Sequence, residues 1–512
     1  MSAVTRYPNP LIAGFYPDPS VVKVGEDYYL ANSTFEYLPG IPVFHSRDLV
    51  TWTQVGNVVE RPGQLASAHV PTLGGACAPT IRFRDGLFYV VVTDAMGRGM
   101  LIFTATDPAG PWSDGTIVDG VHGIDSDLAW SDDGVAHITY SGLDTTSGNP
   151  PGEHGGILQV TVDLETGARL SEPISLWSGT GLKFPEAPHL YRHGGYWYLM
   201  IAEGGTERGH GISIARGTSP SGPFTGGPAN PILSARSTSR PIQNTGHGDL
   251  VETPDGGWAI VMLGMRPTGM TQAFAAMGRE TFITEARWED DWLLAEPVIL
   301  APRPGEFVYE TDFSETVVSP EWISIRRYPS EIASLTERPG SLVLHGEGAT
   351  LDDEQPVLLG YRQQHPLATA SVLIDPGQGL GGISVRYDEV HHYEIEVGNG
   401  VVTARACVAG IRQEWTRELA PGSDGPVTLG LDFVAPGAMG PDGMRSGMLA
   451  GLTSDLVVLS VGTGADRIEL ARVDGRYLSQ ETAASFTGRV IGLYAVTGTV
   501  AFDSFRYAGH DE

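Results

Sequence analysis

The chain has 512 residues, 41% hydrophobic and 18% charged, a globular balance that excludes a disordered polymer, and its length exceeds one ordinary core, so two domains are expected. Its 32 basic and 61 acidic residues leave a net charge of −29, a field that repels phosphate backbones and anionic lipid and so argues against nucleic-acid and membrane partners, while neutral ligands remain allowed. The only cysteines, Cys77 and Cys407, cannot form a disulfide framework.

The stretch from Met1 to Asp18 has no basic segment followed by an apolar run, and nowhere do about 18 apolar residues follow one another, so a cytoplasmic location is expected. Beyond it, a phrase recurs: a turn glycine, an aromatic pair or near-pair, then a β-forming run. It begins at Gly25, Gly86, Gly134, Gly195 and Gly257, at spacings of 61, 48, 61 and 62 residues. A second phrase, a turn closed by an aromatic, follows three of them and ends at Trp52, Trp112 and Phe224. Units of this size cannot bury their own faces, and stacking them round an axis does so. Residues 1–303 are therefore expected to form a five-bladed β-propeller; a large two-sheet sandwich would leave the repeat unexplained. After Ala301-Pro-Arg-Pro-Gly305 the phrase stops, yet alternating runs continue, such as His392-Tyr-Glu-Ile-Glu-Val and Val500-Ala-Phe-Asp-Ser-Phe. Residues 304–512 read as a β-sandwich, with an exposed Gly/Pro/Met-rich loop over 435–447. The fold class is all-β.

Three carboxylates stand out from the rest. Asp18 lies between prolines in Phe15-Tyr-Pro-Asp-Pro-Ser20, where the backbone is fixed and amide donors are removed. Asp125 and Glu186 sit at the entries to the third and fourth blades. Taken singly, each is as consistent with capping a turn as with reacting. Their equivalent places in three blades favour chemistry, because glycoside cleavage by inversion needs a base to activate water and an acid to protonate the leaving oxygen, about 6.5–9.5 Å apart. A third carboxylate nearby keeps that acid protonated.

Asn9-Pro-Leu-Ile-Ala-Gly-Phe-Tyr-Pro-Asp-Pro-Ser20 resembles the opening of glycoside hydrolase family 43, which includes β-xylosidases and α-L-arabinofuranosidases. Ser33-Thr-Phe-Glu-Tyr-Leu-Pro-Gly40, Glu186-Ala-Pro-His-Leu-Tyr191, Ala202-Glu-Gly-Gly-Thr206, Thr245-Gly-His-Gly-Asp249 and Gly278-Arg-Glu-Thr281 follow in the family's order. Gly475-Arg-Tyr-Leu-Ser479 and Phe486-Thr-Gly488 resemble the concanavalin-like β-sandwich of its xylosidase branch. The resemblance implies Asp18 as general base, Glu186 as general acid and Asp125 as the group that orients Glu186 and tunes it. It also implies Arg279 on sugar hydroxyls, Phe35 as an apolar wall of the sugar pocket with Asn32 and Thr34 beside it, and His247 in the propeller channel. There the family sometimes holds a hydrated cation, often calcium, near the histidine; a histidine simply hydrogen-bonded in the channel is the alternative.

One departure concerns the second blade, where Ala76-Cys77-Ala78-Pro79-Thr80 replaces a Trp-Ala-Pro-Asp phrase and removes an indole that would stack on sugar. Cys77 reads as a small buried filler, since no base adjoins it. The pair His391-His392 shows no third ligand at readable spacing and reads as sandwich surface. The expected activity is release of terminal pentoses from short xylo-oligosaccharides by an inverting exo-glycosidase that needs no cofactor, with α-L-arabinofuranosidase activity beside it. An enzyme acting mainly on arabinofuranosides, an endo-arabinanase, and a non-catalytic glycan-binding propeller are the rivals. The partner is an oligosaccharide, and sandwich domains of this branch often accompany homo-oligomers.

Overall fold

The computed structural model describes residues 6–143, 154–269, 271–419, 425–436, 452–483 and 486–511. Its contacts divide the chain into two compact units. The first comprises the residues up to Ile12, Tyr16–Met265 and Glu280–Ala301; the second comprises Ala13–Phe15, Arg266–Arg279 and the chain from Pro302 onward. The first unit is a five-bladed propeller and the second a β-sandwich.

Each blade is an antiparallel sheet whose strands follow chain order. The inner strands are Ser20–Val24, Gly75–Arg84, Gly123–Trp130, Glu186–His193 and Gln243–Glu252. The recurring glycine phrase is the turn from each inner strand into the second: Asp27–Ala31, Leu87–Ala95, Ala136–Leu143, Tyr196–Glu203 and Trp258–Met265. The turn needs left-handed backbone, and Gly25, Gly86, Gly134 and Gly195 supply it with φ of 63°, 81°, 86° and 91°. The second phrase joins third and fourth strands; at Asp48 the carboxylate accepts the amides of Val50 and Thr51 at 2.8 and 2.7 Å, which closes the turn.

Apolar residues gather between blades rather than within them. Val21, Tyr28 and Leu30 of the first blade pack with Val251, Ala259, Val261 and Ile283 of the fifth. Val91 and Ile102 of the second pack with Leu128, Ile138 and Val160 of the third. Full burial of one such side chain is worth about 1.5–3 kcal/mol, and a blade alone would bury only one face of it. The ring is closed by the N-terminal segment. Asn9 exchanges backbone hydrogen bonds with Ala301 at 2.8 and 3.0 Å. Its side-chain amide donates to the carbonyls of Ile283 and Ile299, and its Oδ1 accepts the Ile283 amide.

In the second unit, the strand Val490–His510 runs 21 residues and pairs in turn with Phe307–Thr311, Leu342–Glu347, Val357–Arg362, Leu367–Asp375 and Leu380–Asp388. At about 3.3 Å per residue such a strand is long enough to serve several neighbours along its length. The core is apolar and alternates, with Tyr393, Ile395 and Val397 pointing into it from one strand. The face opposite carries His392, Glu394 and Glu396, and these are buried too. The reading of His391-His392 as surface is therefore corrected: the two side chains are 8% and 1% exposed, because acidic partners from a turn and a neighbouring loop cover them. The expected loop over 435–447 lies, from residue 437 on, outside the described residues. No helix among the described residues is long and apolar enough to cross a membrane.

Candidate active site

The inner strands share one irregularity at their entries. Asp18, Ala78, Asp125, Ala187 and His247 each take a left-handed φ, of 53°, 49°, 56°, 47° and 49°. In the second to fifth blades the pairing register slips at this point, between Cys77 and Thr80, Ile124 and Asp127, Glu186 and His189, and Gly246 and Gly248. A non-glycine residue held there costs of order 1–3 kcal/mol, and bulges of this kind re-aim a side chain. Repetition of the bulge therefore points equivalent side chains of different blades at one mouth. Three of the five equivalent residues are polar, and they meet: His247 Nδ1 lies 3.5 Å from Asp18 Oδ1 and 4.0 Å from Asp125 Oδ2.

Asp18 is 3% exposed and is held by a relay. The Ala78 amide donates to Ser33 Oγ at 2.7 Å, and Ser33 Oγ donates to Asp18 Oδ2 at 2.7 Å. One carboxylate oxygen is thus fixed, while the other faces His247. Asp125 Oδ2 accepts the Ala187 amide at 3.2 Å, which ties it to the residue beside Glu186. Glu186 itself, half-buried, stands one residue before the bulge, opposite Ala202. The three acids were expected at equivalent points; Asp18 and Asp125 are, and Glu186 is offset by one. In the second blade the place of Glu186 falls to Cys77, which is half-buried rather than the buried filler expected.

Two residues beyond each bulge stand Ser20, Thr80, Asp127, His189 and Asp249, and here the blades converge on Arg82. Its guanidinium donates to Asp249 at 2.8 Å, Asp127 at 2.6 Å and Ser20 at 3.2 Å, and lies 2.9 Å from His189 Nδ1. A single side chain can touch the inner strands of four other blades only on the propeller axis. Tyr191 O–H donates to the second oxygen of Asp249 at 2.6 Å. Burial opposes charge on Arg82, but Asp249 and Asp127 outweigh it and raise its pKa. In return, burial would raise the carboxyl of Asp249, and Arg82 and His189 hold it well below the ordinary range; Asp127 is lowered in the same way.

Calcium takes six to eight oxygens; Asp127 and Asp249 are already bound to a guanidinium and His247 offers a ring nitrogen, so an ion in the channel would draw most of its oxygens from water. The fixed positive charge of the channel is Arg82's own.

The other residues that the resemblance implies are held as follows. Asn32 and Thr34 are fully buried, so they do not border a ligand themselves. The Asn32 amide donates to the carbonyls of Tyr16 and Pro17 and to Thr281 Oγ1, all at 3.0 Å, which locks the backbone just before Asp18. Thr34 Oγ1 accepts the Ile41 amide at 3.2 Å. Phe35 is 1% exposed and exchanges backbone hydrogen bonds with Ala76 at 3.0 and 3.1 Å. Gly75 permits that approach, since a Cβ there would overlap the Phe35 carbonyl oxygen. Arg279 closes the segment 266–279 and belongs to the second unit, where its Nε donates to the Phe486 carbonyl at 3.2 Å and its guanidinium lies 4.9 Å over the Phe486 ring.

Ser33, Arg82 and Asp127 were not singled out from sequence. Ser33 sits in a quoted motif, and the alternation Asp125-x-Asp127 and His247-x-Asp249 was a readable signal for a second ring of polar residues.

Carboxylates gathered at one mouth of a five-bladed propeller define a glycoside hydrolase, and comparison with known proteins places the chain more narrowly. The family model for glycosyl hydrolases family 43 matches residues 7–293, and that for the beta xylosidase C-terminal concanavalin A-like domain matches 310–435. The chain belongs to glycoside hydrolase family 43. It is 33% identical to a non-reducing end alpha-L-arabinofuranosidase of Bacteroides ovatus, over 96% of this chain and 92% of that one. It is 37% identical to a xylosidase/arabinosidase of Butyrivibrio fibrisolvens, over 70% and 72%. Among solved structures, a xylan beta-1,4-xylosidase of Bacillus halodurans superposes with a TM-score of 0.86 at 29% identity, covering 98% of this chain and all of that one.

Proposed function

We propose that the protein is an inverting exo-glycosidase that releases terminal pentoses from short xylo-oligosaccharides, a β-1,4-xylosidase with α-L-arabinofuranosidase activity. The observation that carries this is the left-handed position shared at the strand entries: Asp18 and Asp125 both occupy it, both lie within 4.0 Å of one His247 nitrogen, and Asp125 accepts the amide of the residue next to Glu186.

Asp18, with Oδ2 engaged by Ser33, takes a proton from water through its other oxygen, and that water attacks the anomeric carbon. Glu186 protonates the departing glycosidic oxygen from the opposite side. Asp125 places Glu186 through the Ala187 amide, and its negative charge favours the protonated form of the acid. His247 Nδ1 lies between Asp18 and Asp125, 3.5 Å from the first and 4.0 Å from the second. No step calls for a metal, since base, acid and water suffice. The similarity to the Bacteroides ovatus arabinofuranosidase along nearly the whole chain supports a second reading, in which α-L-arabinofuranosides are the better substrate.

Parallel rates on nitrophenyl β-D-xylopyranoside and α-L-arabinofuranoside decide between these readings, and NMR of the first-formed sugar reads the stereochemistry. Inversion is expected. Asp18→Asn and Glu186→Gln are each expected to lower kcat by about 10²–10⁴-fold. Wild-type turnover in either variant, or a retained anomer, would overturn the assignment.

A further inference from the structure

A second constellation of reactive side chains lies in the sandwich, where the pentosidase chemistry has no use for it. His392 and Cys407 face each other across adjacent strands, His391–Gly398 and Val401–Val408. Asp352, from the loop after Leu342–Glu347, reaches over them. Its Oδ1 lies 3.1 Å from His392 Nε2 and 3.8 Å from Cys407 Sγ, and the three ligand atoms fall within 4.8 Å of one another. We propose that Asp352, His392 and Cys407 form a zinc-binding site that ties this loop to the sheet.

The distances suit the ion. Bonds of about 2.0–2.3 Å to nitrogen, oxygen and sulfur in a tetrahedron imply ligand-to-ligand edges of about 3.3–3.7 Å, and Asp352 Oδ1 stands 3.1 Å from His392 Nε2 and 3.8 Å from Cys407 Sγ. Mixed thiolate, imidazole and carboxylate donors select zinc over calcium or magnesium, which prefer oxygen alone. The surroundings are built as outer shells of zinc sites are. A Glu394 carboxylate oxygen lies 2.8 Å from His392 Nδ1, outside hydrogen-bond geometry, and Nε2 is the ring nitrogen turned to Asp352. Glu394 is itself paired with Arg405, and Arg405 binds Glu414 at 2.6 Å. The second oxygen of Asp352 pairs with Arg412 at 2.6 Å, which leaves Oδ1 for the metal. Arg386, opposite His392 in the next strand, is turned to Glu389 at 3.2 Å. His392 and Cys407 are 1% and 0% exposed, while Asp352 is half-buried and gives the ion an entry, with water as fourth ligand. On binding, the Cys407 thiol releases its proton to solvent and the thiolate bonds the metal.

The competing account is an imidazolium of His392 held between Asp352 and Glu394 with no affinity for metal. To separate them, the full chain is stripped with chelator, given zinc chloride, desalted and assayed for metal by mass spectrometry. One zinc per chain is expected in the wild type, with binding lost in Cys407→Ser and weakened at least tenfold in Asp352→Asn, whose half-buried position spares the fold. Glu394→Gln is expected to weaken it about 10–100-fold. Titration with cobalt(II) should give a thiolate-to-cobalt charge-transfer band in the wild type and none in Cys407→Ser. A wild type that retains no more zinc than Cys407→Ser, or cobalt uptake without that band, overturns the site. These readouts do not involve hydrolysis, so they stand or fall apart from the catalytic assignment.

Discussion

The propeller and the sandwich both bury charge, and they do so in opposite ways. In the propeller, buried polar residues stand at a repeated point of the inner strands, so that symmetry brings Asp18, Asp125 and His247 together at one level and Ser20, Asp127, His189 and Asp249 around Arg82 at the next. In the sandwich no repeat operates. Along one sheet face Arg386, His392 and Cys407, all buried, and the exposed Arg412 stand in a row across four strands, beneath a loop that brings Asp352. Symmetry makes a site at the mouth of a channel; cross-strand pairing makes one on a covered sheet.

The comparison is broken most severely by removing the axial cation. Arg82→Leu leaves Asp127 and Asp249 buried without their partner, and an uncompensated buried charge costs about 3–5 kcal/mol. Denaturant unfolding followed by tryptophan fluorescence should show the propeller transition falling by that amount while the sandwich transition stays in place. A smaller effect is expected at the relay to the base. Ser33→Ala removes one hydrogen bond to a carboxylate, about 1.5–3 kcal/mol, and so should lower kcat by roughly 10–100-fold with KM little changed. Ser33→Thr, which keeps the hydroxyl, should restore most of the rate.

Acid separates the units more gently. Asp249 and Asp127 have folded-state pKa values below the ordinary 3.8, so their contribution is present above that value and fades only as pH falls beneath it. His365 in the sandwich behaves otherwise. Burial lowers its pKa from 6.5 to about 4; nearby Asp511 opposes the shift, while Arg266 adds to it. The unfolded chain therefore binds a proton that the folded imidazole refuses, and sandwich stability should decline as pH falls from 6.5 to about 4. Urea midpoints measured across that range should slope for the wild type and flatten in His365→Gln. Smallest of all, a chelator should leave pentoside hydrolysis unchanged, because the axial charge is a guanidinium.

How much was legible before the fold follows the same division. The five blades were readable because one glycine–aromatic hairpin is reused at near-constant spacing, and Asp18, Asp125 and Glu186 stood out because each opens a blade. Ser33 escaped notice because a serine in a strand-end motif carries no sign that an amide 45 residues away will aim it at a carboxylate. The family resemblance put Asn32 and Thr34 beside the sugar, yet their polar atoms turn chiefly to backbone groups. His391 and His392 looked alike on paper; adjacent strand positions part company, and each found its own acid.

Local pattern alone thus settled the number of blades, the turns between strands and the candidate acids, since these depend on glycine φ, alternation and motif within a few residues. Only the assembled molecule decided that Arg82 fills the axis, that Asn32 serves the backbone, and that Asp352, His392 and Cys407 stand as neighbours. The reason is desolvation: a buried charge must find its counter-charge wherever the fold brings one, and its partners here lie 45 and 167 residues away for Arg82, and 40 for His392.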